Sequence, residues 1–185
     1  MGIAMKQRNR FNAIRCLVSV GLLSGWLASA GSAERIPNKN NYVTASFDST
    51  VQNGITQSIL TLTGDDGDNS VTVLWRAGSV TVTAGGQTRI GNSSSSVAAV
   101  TFHTGTSFNL TGNLNGGNDY LSISTIQAPN MTLNLGSGND QAKLLYCTVG
   151  TLTVNGGPGT NSLARVGSKA TNSAVTNIQV YAPPN

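Results

Sequence analysis

Charged, aromatic and cysteine residues are all scarce in this chain of 185 residues. Only 10% of the residues are charged and 5% are aromatic, and the chain has two cysteines and one histidine. Nucleic-acid-binding surfaces need clustered basic residues with stacking aromatics, so we expect no nucleic-acid partner. The lone histidine, His103, is a poor basis for a nucleophile–base pair or a zinc site. The composition therefore predicts a protein that is not an enzyme and has no catalytic residues.

Residues 1–33 have the pattern of a secretory signal peptide. Four basic residues accompany an apolar run at 16–30, which is shorter than the roughly 20 residues that span a bilayer. We expect cleavage after Ala33, which would leave a secreted or cell-surface chain without a membrane segment. The signal peptide accounts for the whole net charge of +4, because seven basic and seven acidic residues remain after it. Cys147 is then the only cysteine, so an internal disulfide is excluded.

A step of 21 residues relates three glycine-rich segments of the C-terminal half. The segments read NGGNDYLSI at 115–123, GSGNDQAKL at 136–144 and NGGPGTNSL from 155. Apolar residues keep the same step and form three columns: Val100, Leu121, Ala142 and Leu163; Phe102, Ile123 and Leu144; and Leu110, Met131 and Leu152. A constant step of about 20 residues indicates coils that stack on one another.

The runs between the glycine turns alternate apolar and polar residues, which is typical of strands. The sequence therefore predicts an all-β fold, a short parallel β-helix or β-roll solenoid with coils of about 21 residues at 97–185. Residues 34–53 are expected to form a linker or first strand, and 54–96 an N-terminal β cap or the first coils. An antiparallel sandwich is the alternative, but it gives no reason for a constant step. Beyond Leu163, residues 149–154 match 175–180 at a step of 26, which predicts a five-residue bulge.

The turns GDDGDNSV, NGGNDYL, GSGNDQA and GGPGTNSL resemble the repeats-in-toxin (RTX), or hemolysin-type, nonapeptide G-G-x-G-x-D-x-L-x. In that family, turn aspartates and backbone carbonyls of stacked turns chelate calcium in a parallel β-roll. The resemblance implies calcium as the cofactor, with these candidate ligands: Gly117, Asn118, Asp119, Gly138, Asn139 and Asp140, joined by the acidic Asp66 and Asp68. The chain departs from the family because each coil carries one nonapeptide and because Asn69 and Asn161 replace the aspartate in the outer copies. The resemblance therefore implies one or two weak sites.

Such turns also arise without a metal, because Gly accepts positive φ and Asn and Asp bond their own backbone at corners. The function that we expect is a secreted, non-enzymatic solenoid that binds calcium weakly in an extracellular or cell-surface structural role. The alternative is a metal-free adhesion or matrix module, which would use exposed Ser, Thr and Asn ladders or an open sheet edge for its contacts. The third hypothesis, a polysaccharide-active β-helix enzyme, requires Asp140, Lys143 and Arg165 to share one surface.

Overall fold

A computed structural model of the chain describes residues 41–52, 55–92, 95–104 and 107–182, so the expected signal peptide lies outside the described residues. The described part is all strands and turns, and none of it forms a helix that could cross a bilayer. The first seven strands are β1 Tyr42–Gln52, β2 Ile55–Thr63, β3 Ser70–Arg76, β4 Ser79–Ala84, β5 Arg89–Asn92, β6 Ser95–Val97 and β7 Ala99–His103. The remaining strands are β8 Asn109–Asn113, β9 Tyr120–Ser124, β10 Gln127–Asn134, β11 Gln141–Leu145, β12 Thr148–Asn155, β13 Ser162–Val166, β14 Lys169–Thr176 and β15 Val180–Ala182.

Two sheets form the walls of the molecule. The first has the order β14-β12-β10-β8-β2-β1-β5-β6, and the second has the order β15-β13-β11-β9-β3-β4-β7. Successive coils place one strand in each sheet and pair in parallel with a step of 21 residues, as in Leu121 beside Ala142 and Ala142 beside Leu163. The predicted all-β parallel solenoid with coils of about 21 residues is confirmed.

The column of Leu110, Met131 and Leu152 is confirmed, because these residues are paired neighbours and are buried. The placement of Val100 and Phe102 at the head of the other two columns is wrong. Val71 and Val73 of β3 occupy those places beside β9, while Val100 and Phe102 pair with β4. The error arose because every strand alternates with period two, so β7 imitates the pattern of a coil at a step of 21.

The first coil is formed by β2 and β3; strands β4 to β7 then leave the stack of coils, and the chain returns to it at β8. The strands β1, β4, β5, β6 and β7 extend the two sheets beyond this coil, and all of their pairings except the parallel one of β1 with β5 are antiparallel. Cap and coils therefore interleave in sequence instead of meeting at residue 97. Phe47 of β1 stacks on Phe102 and lies edge-on to Phe108, each at 5.8 Å between ring centroids. The cap thereby covers the sheet edges and interior that a first coil would otherwise expose.

The core is a single cluster of buried Leu, Ile and Val side chains that runs through all coils. Each fully buried side chain of this kind stabilises the fold by about 1.5–3 kcal/mol. Cys147 lies beside Ile126 at the same step of 21 residues, and both are buried in this core.

The predicted five-residue bulge after Leu163 is absent from the structure, so that prediction is wrong. β14 continues the step of 21, with Val154 beside Val175, and the shortening comes one turn later, where Leu163 pairs with Tyr181. The match at a step of 26 is a coincidence, because residues 149–154 lie within β12 whereas 175–180 span the end of β14, a turn and the start of β15.

Candidate metal centre at the glycine turns

The four glycine-rich turns, at 64–69, 114–119, 135–140 and 156–161, stack along one edge of the solenoid between the two sheets. Gly138 has a φ of +136°, and a Cβ there would lie 1.8 Å from the carbonyl oxygen of Gly117. A Cβ at Gly159 would lie 1.7 Å from the carbonyl oxygen of Gly138 in the same way. The glycines of the repeat are therefore required by the close backbone approach of successive turns.

An inner ladder of side chains links the turns. The backbone N–H of Asn69 donates to Asp119 Oδ1 at 2.7 Å, and the N–H of Asp119 donates to Asp140 Oδ1 at 2.9 Å. The ladder continues because the N–H of Asp140 donates to Asn161 Oδ1 at 2.9 Å and the N–H of Asn161 donates to Gln179 Oε1 at 2.6 Å. Each side chain thus satisfies a backbone donor that the turn would otherwise leave buried without a partner.

An outer ladder, one residue earlier in each turn, runs in the opposite direction. The N–H of Asn118 donates to Asp68 Oδ1 at 2.8 Å, the N–H of Asn139 to Asn118 Oδ1 at 2.9 Å, and the N–H of Thr160 to Asn139 Oδ1 at 2.8 Å. These side chains are exposed. Asn161, which the resemblance to RTX repeats makes a replaced ligand, is a full member of the inner ladder, whereas Asn69 contributes only its backbone N–H to it.

The second carboxylate oxygens of Asp119 and Asp140 are the feature that points to a ligand. The two side chains are only 2% and 1% exposed, and Oδ2 of each has no hydrogen-bond partner in the described part of the chain. Burial raises the pKa of Asp119 to about 7; the N–H of Asn69 opposes this shift, and the charge of Asp140 adds to it. Burial also raises the pKa of Asp140, with the N–H of Asp119 opposing it.

The coils that carry Asn69 and Asn161 show which hydrogen bonds the two aspartates cannot make. Asn69 Nδ2 donates to the carbonyl oxygen of Gly67 at 2.7 Å, and Asn161 Nδ2 donates to the carbonyl oxygens of Gly157 and Asn177 at 3.1 and 3.2 Å. In the two central coils, Asp119 and Asp140 stand at the corresponding position. Each therefore has an acceptor oxygen, Oδ2, where the asparagines have an amide donor. An oxygen in that place needs a proton or a cation, because backbone carbonyls cannot donate a hydrogen bond.

The three aspartates of the first glycine turn, Asp65, Asp66 and Asp68, have different roles. Asp65 Oδ2 accepts a hydrogen bond from the N–H of Tyr42 at 2.8 Å, and Asp65 Oδ1 accepts one from the N–H of Gly67 at 3.0 Å. Asp65 therefore ties the first strand to the first turn. Asp66 and Asp68 are exposed at the end of the row, and Asp66 lies close to Gly116.

Three residues of the hypothetical polysaccharide-cleaving site do not share a surface. Asp140 is buried in the turn, and Lys143 stands on the outer side of β11 beside Ser122 and Ala164. Arg165 is paired with Leu144, points into the core column and is 6% exposed. The expectation that they would lie together on adjacent coils is wrong, because neighbouring strand positions face opposite sides of a sheet.

His103 is exposed on β7, where its Nδ1 lies 3.0 Å from Ser79 Oγ. These residues are opposite each other in the antiparallel pairing of β4 with β7. The contact is therefore a cross-strand pair on the surface of the cap.

The donor set of the two central turns fits a hard cation. Calcium takes six to eight oxygen ligands in flexible geometry, and it accepts carboxylate and backbone carbonyl oxygens together. The described residues include no cluster of three or more His, Cys, Asp and Glu side chains that could hold a metal. Two carboxylates would therefore need backbone carbonyls and water to complete the coordination shell.

Comparison with family models, with curated proteins and with solved structures found no match to this chain. The resemblance of the turns to RTX repeats stays a prediction from the quoted residues.

Proposed function

We propose that this chain is a secreted, non-enzymatic β-solenoid with an extracellular or cell-surface structural role, and that it binds calcium weakly at its glycine turns. Asp119 and Asp140 are the proposed acidic ligands. Gly117, Asn118, Gly138 and Asn139 belong to the same turns and supply backbone oxygens. The role of the cation is to neutralise the turn edge and hold adjacent coils together.

The observation that carries the proposal is the pair of buried Oδ2 atoms without hydrogen-bond partners in the described part of the chain. Both aspartates already use Oδ1 to accept a backbone N–H across the coil boundary. A buried carboxylate without a counter-charge is costly, and two of them on neighbouring coils also repel each other. A divalent cation would relieve both costs without breaking the ladder.

Weak binding follows from the same geometry. Only two carboxylates are available, and calcium affinity increases with the number of charged ligands. Extracellular calcium sites function with Kd values on the order of 0.1–1 mM, so a secreted solenoid would be loaded. At a calcium concentration ten times Kd, the linkage relation gives a stabilisation of about 1.4 kcal/mol.

Calcium titration followed by circular dichroism and thermal unfolding tests the proposal. We expect millimolar calcium to raise the Tm of the natural protein at neutral pH, and the double variant Asp119→Asn with Asp140→Asn to lose this response. Asparagine is the suitable replacement because it occupies the same place as Asn69 and Asn161 in the flanking coils. Asp48→Asn, on the exposed face of β1, is the matched control and should respond as the natural protein does.

The absence of any Tm shift in the natural protein at millimolar calcium would contradict the proposal. An equal shift in the double variant would also contradict it, because the cation would then bind elsewhere, for example at Asp66 and Asp68. Under the alternative of a metal-free adhesion or matrix module, the fold would be insensitive to calcium, and both aspartates would be protonated structural residues.

A further inference from the structure

The outer side of the first sheet carries a regular array of threonine and asparagine, which we call the threonine–asparagine face. Its strands are β2, β8, β10, β12 and β14, whose alternate residues point away from the core. The central row is Thr61, Thr111, Thr132, Thr153 and Ala174; the flanking rows are Thr63, Asn113, Asn134, Asn155 and Thr176, and Ile59, Asn109, Asn130, Thr151 and Asn172.

The array is periodic in two directions. Neighbouring strands are about 4.7–4.9 Å apart, and alternate residues of one strand are separated by about 6.6–6.8 Å. The constant pairing register carries these intervals through the coils, so equivalent side chains repeat as in a small crystal face.

Hydrogen bonds within the rows hold the side chains in this arrangement. Asn134 Nδ2 donates to Asn113 Oδ1 at 2.7 Å, and Asn130 Nδ2 donates to Asn109 Oδ1 at 3.2 Å. The threonines of the central row are half-buried between their neighbours and, as β-branched residues, have few rotamers available. A ligand would therefore meet groups that are already ordered, which reduces the entropic cost of binding.

The chemistry of the face narrows the class of ligand. None of the residues in the three rows is charged or aromatic, so the face lacks the Trp, Tyr and Arg anchors that dominate protein interfaces. It also lacks basic groups for anionic polymers and aromatic rings against which sugar rings could pack. What it offers is an uncharged lattice of hydroxyl and amide groups that both donate and accept hydrogen bonds, together with threonine methyl groups.

We propose that the threonine–asparagine face binds ice. An ice surface is an uncharged, periodic lattice of water molecules that donate and accept hydrogen bonds, and the face presents uncharged donors and acceptors that likewise repeat in two directions. A rigid array in register can order water at many positions at once, so that individually weak contacts add along the lattice. This site is separate from the glycine turns, and its proposed activity does not depend on the calcium proposal.

Inhibition of ice recrystallisation and ice-crystal shaping by the purified protein test the inference. We expect activity in the natural protein and at least about a tenfold loss, equivalent to about 1.4 kcal/mol, in Thr132→Tyr, because the phenol ring would lift the flat face away from the ice. Thr72→Tyr, at an exposed position on the outer side of the second sheet, is the matched control and should keep full activity.

Circular dichroism of each variant tests whether it is folded. If Thr132→Tyr does not fold, Thr151→Tyr, at an exposed edge of the same face, takes its place in the experiment. Absence of ice shaping and of recrystallisation inhibition in the natural protein would overturn the inference. Equal losses in folded face variants and in Thr72→Tyr would overturn it as well. Sedimentation with cellulose or chitin particles but no effect on ice would assign the face to a neutral polysaccharide instead, and would likewise overturn it.

Discussion

Replacing Gly138 by alanine tests whether the glycines of the repeat are required by the contact between stacked turns. A Cβ at this residue would lie 1.8 Å from the carbonyl oxygen of Gly117 and 2.7 Å from its carbonyl carbon. That carbonyl belongs to the peptide whose N–H, at Asn118, donates to Asp68 in the outer ladder. The turn therefore cannot move aside without disturbing the ladder.

The expected loss of unfolding free energy in Gly138→Ala follows from comparison with Gly86, where φ is +57° and a Cβ would meet no atom within 4 Å. Gly86→Ala incurs the conformational cost of the left-handed region, about 1–2 kcal/mol. At Gly138 the φ of +136° lies in a region essentially restricted to glycine, where the cost is on the order of 1–3 kcal/mol. Only Gly138→Ala must also displace backbone, and strain of this kind adds about 1–3 kcal/mol. We therefore expect Gly138→Ala to lose about 3 kcal/mol or more and Gly86→Ala to lose only the conformational part.

Thermal unfolding by circular dichroism, with calcium removed by a chelator, separates the two variants. For a chain of this size, 1 kcal/mol shifts Tm by about 2–4 °C, so Gly138→Ala should unfold at least about 6 °C below the natural protein. Equal losses in Gly138→Ala and Gly86→Ala would contradict this prediction, because the carbonyl of the stacked turn would then contribute nothing to the loss.

Three further predictions concern pH, the inner ladder and the thiol. Without calcium, Tm should fall as pH rises from 3.8 to about 7, because the folded protein keeps the proton of Asp119 up to a pKa of about 7 while the unfolded chain releases it near 3.8. A Tm that rises over this range would contradict the raised pKa of Asp119. Asn161→Ala should cost about 1–3 kcal/mol in urea unfolding, since the buried N–H of Asp140 loses its acceptor, and a change below about 0.5 kcal/mol would argue against the ladder. Cys147 should react with a thiol reagent only after unfolding, because it is buried and burial raises the pKa of its thiol, and fast reaction of the native protein would contradict that environment.

The sequence was sufficient to predict the solenoid wherever the 21-residue step is unbroken. Leu110, Met131 and Leu152 repeat at that step and lie in one buried column. The first coil was missed because 50 residues separate Asn69 from Asp119, its partner in the next coil, and the inserted cap strands remove the constant step. Alternation with period two then made Val100 look equivalent to Val71. Periodicity detects stacked coils, but it does not locate an insertion within them.

The turns were recognised from their glycines, whereas the use of each side chain was not predictable from the sequence. Asp119 and Asp140 were identified, but the sequence gives no sign that Oδ1 of each is already bound to a backbone N–H of the preceding coil. Asn161 looks like a degenerate ligand when the repeats are aligned, although its Oδ1 accepts the backbone N–H of Asp140 just as the aspartates accept theirs. The distinction between a ladder residue and a metal ligand depends on the second oxygen, whose burial is fixed only by the stacking of coils.

A crystal structure of the protein, from crystals grown at neutral pH in millimolar calcium, shows directly whether the two buried aspartates bind a cation. We expect a cation about 2.3–2.6 Å from Oδ2 of Asp119 or Asp140, with both Oδ1 atoms still accepting their backbone N–H groups. Metal-free turns under these conditions, or calcium bound only at the exposed Asp66 and Asp68, would contradict this expectation.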